Sequence, residues 1–236
     1  SSLRDYSNTY TIEFDGVLTL TPHATGVGGL DSGTLNSNIL YAVYVIGQSK
    51  GRGRSNVSVI MSTNLVRPTL STNASGKYLA WDTWRRVGAV RTHWTNGGIT
   101  NISPFVQTGQ GRERTMWYNT AATLNALTAG NSGTNTVFTS VDASGFIPID
   151  CEAIITAAIV QGTTNSAAGV ALKPSAGYSL AENVSAVGSK VLNVDGANVQ
   201  AVFNVRIPVV SRAFLYYVLD DDDVASFAVA GYVDEL

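Results

Sequence analysis

From Ile39 to Ile46 the chain reads Ile-Leu-Tyr-Ala-Val-Tyr-Val-Ile, with no polar interruption. In a strand, successive side chains point to opposite faces, so Ile39, Tyr41, Val43 and Val45 cover one side and Leu40, Ala42, Tyr44 and Ile46 the other. Both sides then need cover, which predicts a central strand. The run is too short and too β-branched to read as a helix. A second organising strand is expected over Trp84–Trp94. Between and beyond these two, short alternating or apolar runs recur. They are Tyr10–Asp15, Val17–Pro22, Val57–Met61, Phe105–Thr108, Arg112–Tyr118, Thr136–Val141, Ala153–Val160, Val170–Lys173, Val199–Ile207, Ala213–Leu219 and Phe227–Val233.

Asp15-Gly16 is a tight-turn signal joining Tyr10–Asp15 to a returning strand at Val17–Pro22. His23–Asn38 and Leu65–Trp81 read as loops, and Tyr178–Asn198 as irregular. Thr123–Thr128 is rich in Ala and Leu but short and flanked by Thr, and a strand is favoured over a helical turn. Pro208 closes the run before it, because proline cannot donate to a ladder. Short strands with turn chemistry between them give an all-β chain, β-sandwich or jelly-roll-like. Asn96-Gly97-Gly98 suggests two β subdomains, 1–98 and 99–236.

Composition changes this picture in one respect. Of 236 residues, 14% are charged, against about 25% in ordinary soluble domains. Two readings stay open, a surface covered by copies or partners and a surface that is polar but uncharged. Net charge is −2, so no global basic field draws the chain to nucleic acid. The single cysteine, Cys151, excludes an internal disulfide and a cysteine-based zinc site, and beside an apolar strand it reads as a buried thiol. The first residues do not read as a secretory leader, and no apolar run approaches the about 18 residues of a membrane span.

Candidate chemistry is sparse. Gly47-Gln48-Ser49-Lys50-Gly51 matches G-x-S-x-G, but the nucleophile elbow needs a helix next, and Arg52-Gly53-Arg54-Ser55-Asn56 leads to another strand. His23 and His93 lack a second ligand at metal spacing. Gly51-x-Gly53 and Gly109-x-Gly111 lack the third glycine and helix of a phosphate cradle. Asp220–Asp223 is a candidate Ca²⁺ cluster without EF-hand spacing, and a hairpin turn between Ala213–Leu219 and Phe227–Val233 fits it better. Lys50, Arg52, Arg54, Arg112 and Arg114 read as solvated faces or interface ion pairs. The sequons at Asn56, Asn73, Asn101 and Asn183 are expected in a chain this rich in Asn, Ser and Thr. Trp81, Trp94 and Trp117 are candidate glycan contacts, with burial the commoner fate of such side chains. No catalytic, cofactor-binding or metal-ligating residue is assigned.

Several blocks, taken in order, resemble a family of tailed-bacteriophage virion proteins that includes tail-fibre and related structural proteins. Arg4-Asp5-Tyr6-Ser7-Asn8-Thr9-Tyr10-Thr11-Ile12 is similar to an "RDSTxTYxI" opening. Gly28-Gly29-Leu30-Asp31-Ser32-Gly33-Thr34-Leu35 with Tyr41–Ile46 resembles "GGLDTG(S/T)L…N.WYxVYxI". Pro68-Thr69-Leu70, Tyr78 and Trp84–Thr92 resemble "PxLPxGYxxxRRIGxVxT". Phe138–Asp142, Phe146-Ile147-Pro148 and Gly231-Tyr232-Val233-Asp234 resemble later blocks. Ser32 stands where Thr is usual, and Ala74–Tyr78 replaces a tighter Pro-x-Gly-Tyr turn. Relatives often carry more strand sequence before the first block, so Ser1 is expected to be a trimmed start. The resemblance implies a non-enzymatic virion component, on the tail or a fibre, assembled as a homo-oligomer with a trimer favoured. A capsid decoration protein or head fibre, or a receptor-binding module for a host glycan, is the alternative.

Overall fold

The computed structural model describes residues 2–4, 11–13, 16–48, 57–69, 81, 83–95, 98–109, 113–118, 127–128, 139–160, 168–173, 190–194, 200–209, 212–218 and 224–235. The fold is all-β and β-sandwich-like, with antiparallel sheets and no α-helix among the described residues. It divides into two compact units, Ser1–Ser103 and Pro104–Glu235.

Unit 1 contains β1 (Ser2–Arg4), β2 (Thr11–Glu13), β3 (Leu40–Gly47), β4 (Val57–Ser62), β5 (Thr83–Trp94) and β6 (Thr100–Ile102). The main sheet has the order β4-β3-β5-β6, so the doubly apolar run is an inner strand as expected. It begins at Leu40, because Asn38 takes a left-handed φ of 60° and Ile39 is held by its N–H to Thr92 Oγ1 at 3.1 Å. Tyr41, Ala42, Tyr44 and Ile46 are fully buried. Opposite Val43 and Tyr44, β5 carries a bulge: Gly88 pairs with Val43 and Arg86 with Tyr44, leaving Val87 as the extra residue.

The expected returning strand at Val17–Pro22 is absent. β2 pairs instead with β1, and residues 17–22 belong to a long loop. The loop's apolar side chains explain the misreading. Leu20, Leu30 and Leu35 pack with Tyr41, Val43, Met61, Val90 and Ile102, and Leu18 packs on Val45 with Val57 and Val87. The loop supplies the cover that one face of β3 requires. It also caps the outer edge of β4, where Gly28 N–H donates to the Val59 carbonyl (2.9 Å), Met61 N–H to Gly29 (2.9 Å) and Asp31 N–H to Met61 (2.8 Å).

The two units part after Ser103, not after Gly98. The turn containing Gly98 lies inside a hairpin, in which His93 pairs with Asn101 and Trp94 with Thr100.

Unit 2 contains β7 (Phe105–Thr108), β8 (Glu113–Tyr118), β9 (Leu127–Thr128), β10 (Thr139–Asp142), β11 (Cys151–Val160), β12 (Ala168–Lys173), β13 (Lys190–Val194), β14 (Gln200–Pro208), β15 (Ala213–Val218) and β16 (Val224–Glu235). One sheet runs β14-β11-β16-β8-β7, with β9 also on β16, and the other runs β10-β15-β12-β13. Two expectations are corrected here. The irregular stretch 178–198 contains a strand, β13, paired with β12. β15 and β16 lie in different sheets, so the acidic run between them does not close a hairpin. Residues 220–223 themselves lie outside the described residues, as do Ser49, Lys50, Arg52, Arg54 and Arg112.

In the larger sheet, directly paired residues share a face. One face holds Ala153, Ile155, Val205, Ile207, Phe227, Val229, Tyr232 and Met116, all buried. The other holds the row Arg206–Ile154–Gly231–Trp117–Val106 and is largely solvent-facing along its two outer strands.

Candidate functional site

Three places in the fold gather side chains able to do more than pack. The first lies under the long loop of unit 1. Asp31 is buried, yet its carboxyl is well used: Oδ2 accepts from Ser62 Oγ at 2.9 Å and from Thr69 N–H at 2.5 Å. Ser62 Oγ in turn accepts from Asn64 N–H at 3.1 Å. One carboxyl therefore joins the loop, the end of β4 and the chain leaving it. Gly29 permits this, because a Cβ there would strike the Ala24 carbonyl oxygen. The Gly28-Gly29-Leu30-Asp31 block thus has a structural reading. Gly29 allows the close approach, Leu30 fills the core, and Asp31 pins the loop.

Tyr44 belongs to the same region. Its hydroxyl donates to the Asn64 carbonyl at 2.8 Å, and its ring meets Trp84 edge-on at 5.7 Å. Burial pushes the phenol above the usual tyrosine range; Arg86 nearby lowers it and Asp31 raises it. Folded Tyr44 keeps its proton where the unfolded chain releases it, above about pH 10. Its contribution is therefore complete below that pH and drains away as pH climbs toward the raised folded value, by up to about 1.4 kcal/mol per pH unit. Urea midpoints at pH 8 and pH 11 check this. The wild type is expected to lose more stability between them than Tyr44→Phe, and equal losses would contradict it.

The second place is a depression of about 550 Å³ on the Arg206 side of the large sheet, lined by Glu113, Asp150, Cys151, Glu152, Arg206 and Val233 among others. Arg206 spans it, 3.1 Å from Glu152 and 3.5 Å from Glu113. These groups are about half exposed, so the pairs contribute less than about 1 kcal/mol each. Cys151 is a buried free thiol whose Sγ donates to the Pro148 carbonyl at 3.1 Å. The site has no His, and among the described residues no three His, Cys, Asp or Glu groups gather as metal ligands.

The third place is the edge formed by β7 and β8. All four β7 residues are exposed. Val106 (50% exposed) pairs with Trp117 (38%), and Phe105 (40%) lies beside them on the strand.

Of the three tryptophans singled out from the sequence, Trp81 and Trp94 belong to unit 1 and Trp117 to unit 2. Trp94 is 60% exposed at the end of β5, in unit 1. Trp117 stands on β8, in unit 2. Trp81 is half-buried, and its Nε1 is buried without a hydrogen-bond partner. None of the three lines the depression. His23 is exposed; His93 is half-buried beside Trp94, with Nδ1 unpartnered. Asp31 went unnoticed as a single residue because one acid in a glycine-rich loop has no periodic signature.

No protein-family model matches the chain, and no curated protein matches it. Among solved structures it is similar to a chain in "Structure of infectious bursal disease virus Gx strain", at 8% identity and a TM-score of 0.20, over 98% of this chain and 54% of that one. The chain thus spans about half the length of that virus protein, and a likeness this slight bears no argument about fold or function.

Proposed function

We propose that this chain is a non-enzymatic structural component of a bacteriophage virion, built into the tail or a tail fibre as a homo-oligomer. The observation that supports this best is the β7–β8 edge. There an uncharged strand with exposed Phe105 and Val106 ends a sheet whose inner strands bury Met116, Tyr232 and Ile155. A strand edge left in this state is a template for pairing with another chain. The low charged fraction of 14% agrees with surface covered by copies. The ordered blocks from Arg4 to Asp234 supply the virion context, as a resemblance.

Tail and capsid-decoration roles share this physics and differ in neighbours. A host-glycan module is a weaker reading, because neither Trp94 nor Trp117 lines the depression. The test is the protein inventory of purified particles from the virus that encodes the chain. The chain is expected at a fixed copy number in intact particles and in isolated tails. Its absence from particles would overturn the reading, and its presence on tail-less heads alone would move it to the capsid.

A further inference from the structure

The sheet edges of this molecule are not treated alike. β4 is capped by the backbone of residues 28–31. β14, one edge of the large sheet, ends in Pro208 and carries Arg206, paired to two carboxyls. Charge and proline are standard means of keeping an edge from pairing. β7, the other edge of that sheet, has neither. From Ser103 to Gly109 the sequence is Ser-Pro-Phe-Val-Gln-Thr-Gly, with its one proline ahead of the strand and no charge at all.

We propose that β7 pairs with β7 of a second copy of this chain, antiparallel, about a twofold axis passing beside Val106. This rests on the homo-oligomer proposed above and names its contact. The register follows from geometry. A twofold normal to the sheet keeps like faces on the same side, so each residue must meet one of its own parity. With Val106 opposite its own copy, Phe105 meets Gln107, and Pro104, ahead of each strand, ends the ladder. Val106 already shares a face with Trp117 across the β7–β8 ladder. The axis therefore produces one continuous apolar row, Trp117–Val106 followed by the same pair from the copy in reverse. Half-exposed Val106 on each copy thereby passes from an edge strand to an inner strand of the joined sheet.

Charge favours a second copy over an unlike partner. A twofold sets any charge near the axis against its own image, which is repulsive. A strand that lacks charge throughout meets that requirement without compensation. The edge is only four residues long, well short of the about 1,200 Å² of a stable interface. On its own it gives self-association that depends on concentration, strengthened where other contacts hold copies together.

The test is cysteine cross-linking of the full chain under a mild oxidant. Val106→Cys is expected to form a covalent dimer. Val202→Cys, on the β14 edge at 67% exposure, is the control and is expected to stay monomeric, with Cys151 buried in both. Val106→Lys sets two ammonium groups face to face and is expected to weaken association at least tenfold, with an unchanged circular dichroism spectrum. Thr108→Lys, also exposed, is the second variant should the first misfold. Cross-linking of Val106→Cys no better than of Val202→Cys, or unaltered association in a folded lysine variant, would overturn the proposal. Particle inventory reads the virion role separately: a chain present in particles whose Val106→Cys form does not cross-link retains that role and loses this contact.

Discussion

Asp31→Ala is expected to destabilise unit 1 by about 3 kcal/mol, from leaving the buried Ser62 hydroxyl and the part-buried Thr69 N–H without their acceptor and from loosening the loop they hold. The carboxyl accepts from the buried Ser62 Oγ and the part-buried Thr69 N–H, and alanine offers no oxygen to either. The loss does not stop at two hydrogen bonds. Asp31 anchors the loop whose Leu18, Leu20, Leu30 and Leu35 cover the Tyr41–Val43–Val45 face of β3. Loosening it exposes that face. Urea denaturation followed by tryptophan fluorescence measures the effect, and Asp31→Asn, which keeps one acceptor, should lose about half as much. Ser62→Ala should cost clearly less in the Asp31→Ala background than in the wild type, because the two act through one bond. A loss under about 1 kcal/mol for Asp31→Ala would show that the loop is held by other means.

Gly231→Val carries the second large effect, in unit 2. Gly231 pairs with Trp117 on β8 and with Ile154 on β11, beside the irregularity where the register shifts between Ile154 and Ile155. A Cβ at this position would run into the Met116 carbonyl oxygen, with the Met116 carbonyl carbon and Trp117 Cα close behind. These are backbone atoms and cannot swing aside as a side-chain tip can. Valine must push β8 off β16, so a cost of about 3 kcal/mol or more is expected. The damage should be local: hydrogen exchange should rise over β7, β8 and the end of β16 and stay unchanged over β3–β5. Wild-type protection on β8 in the variant would contradict it. With Tyr232, Val233 and Asp234 buried further along the same strand, the Gly231-Tyr232-Val233-Asp234 block reads as the packing requirement of one stretch of β16.

How far the fold was legible depended on how local its cause is. The Leu40–Gly47 strand was plain, because two apolar faces in one short run admit few alternatives. The alternation at Val199–Ile207 was equally direct: Val205 and Ile207 are buried while Asn204 and Arg206 are exposed. Val17–Pro22 misled because Leu18 and Leu20, two residues apart, have strand spacing, while what they serve is the side chains of β3. Lys190–Val194 is brief and set among small polar residues, so its pairing with β12 gave no local sign. The acidic run looked like a hairpin turn because its flanks are both strands, and which sheet each flank joins is decided by residues far along the chain. Of the candidate site, the tryptophans were visible as residue types, and their separation onto two units was not. The β7 edge was invisible, since an edge is defined by a neighbour that the sequence does not name.

The most direct test of the central claim, that this all-β chain is a building part which joins its own copies, is its mass in solution. Sedimentation velocity of the intact chain across about 1–100 µM is expected to show species at whole multiples of 24.9 kDa, with the larger ones gaining as concentration rises. A single 24.9 kDa species over the whole range would contradict the account.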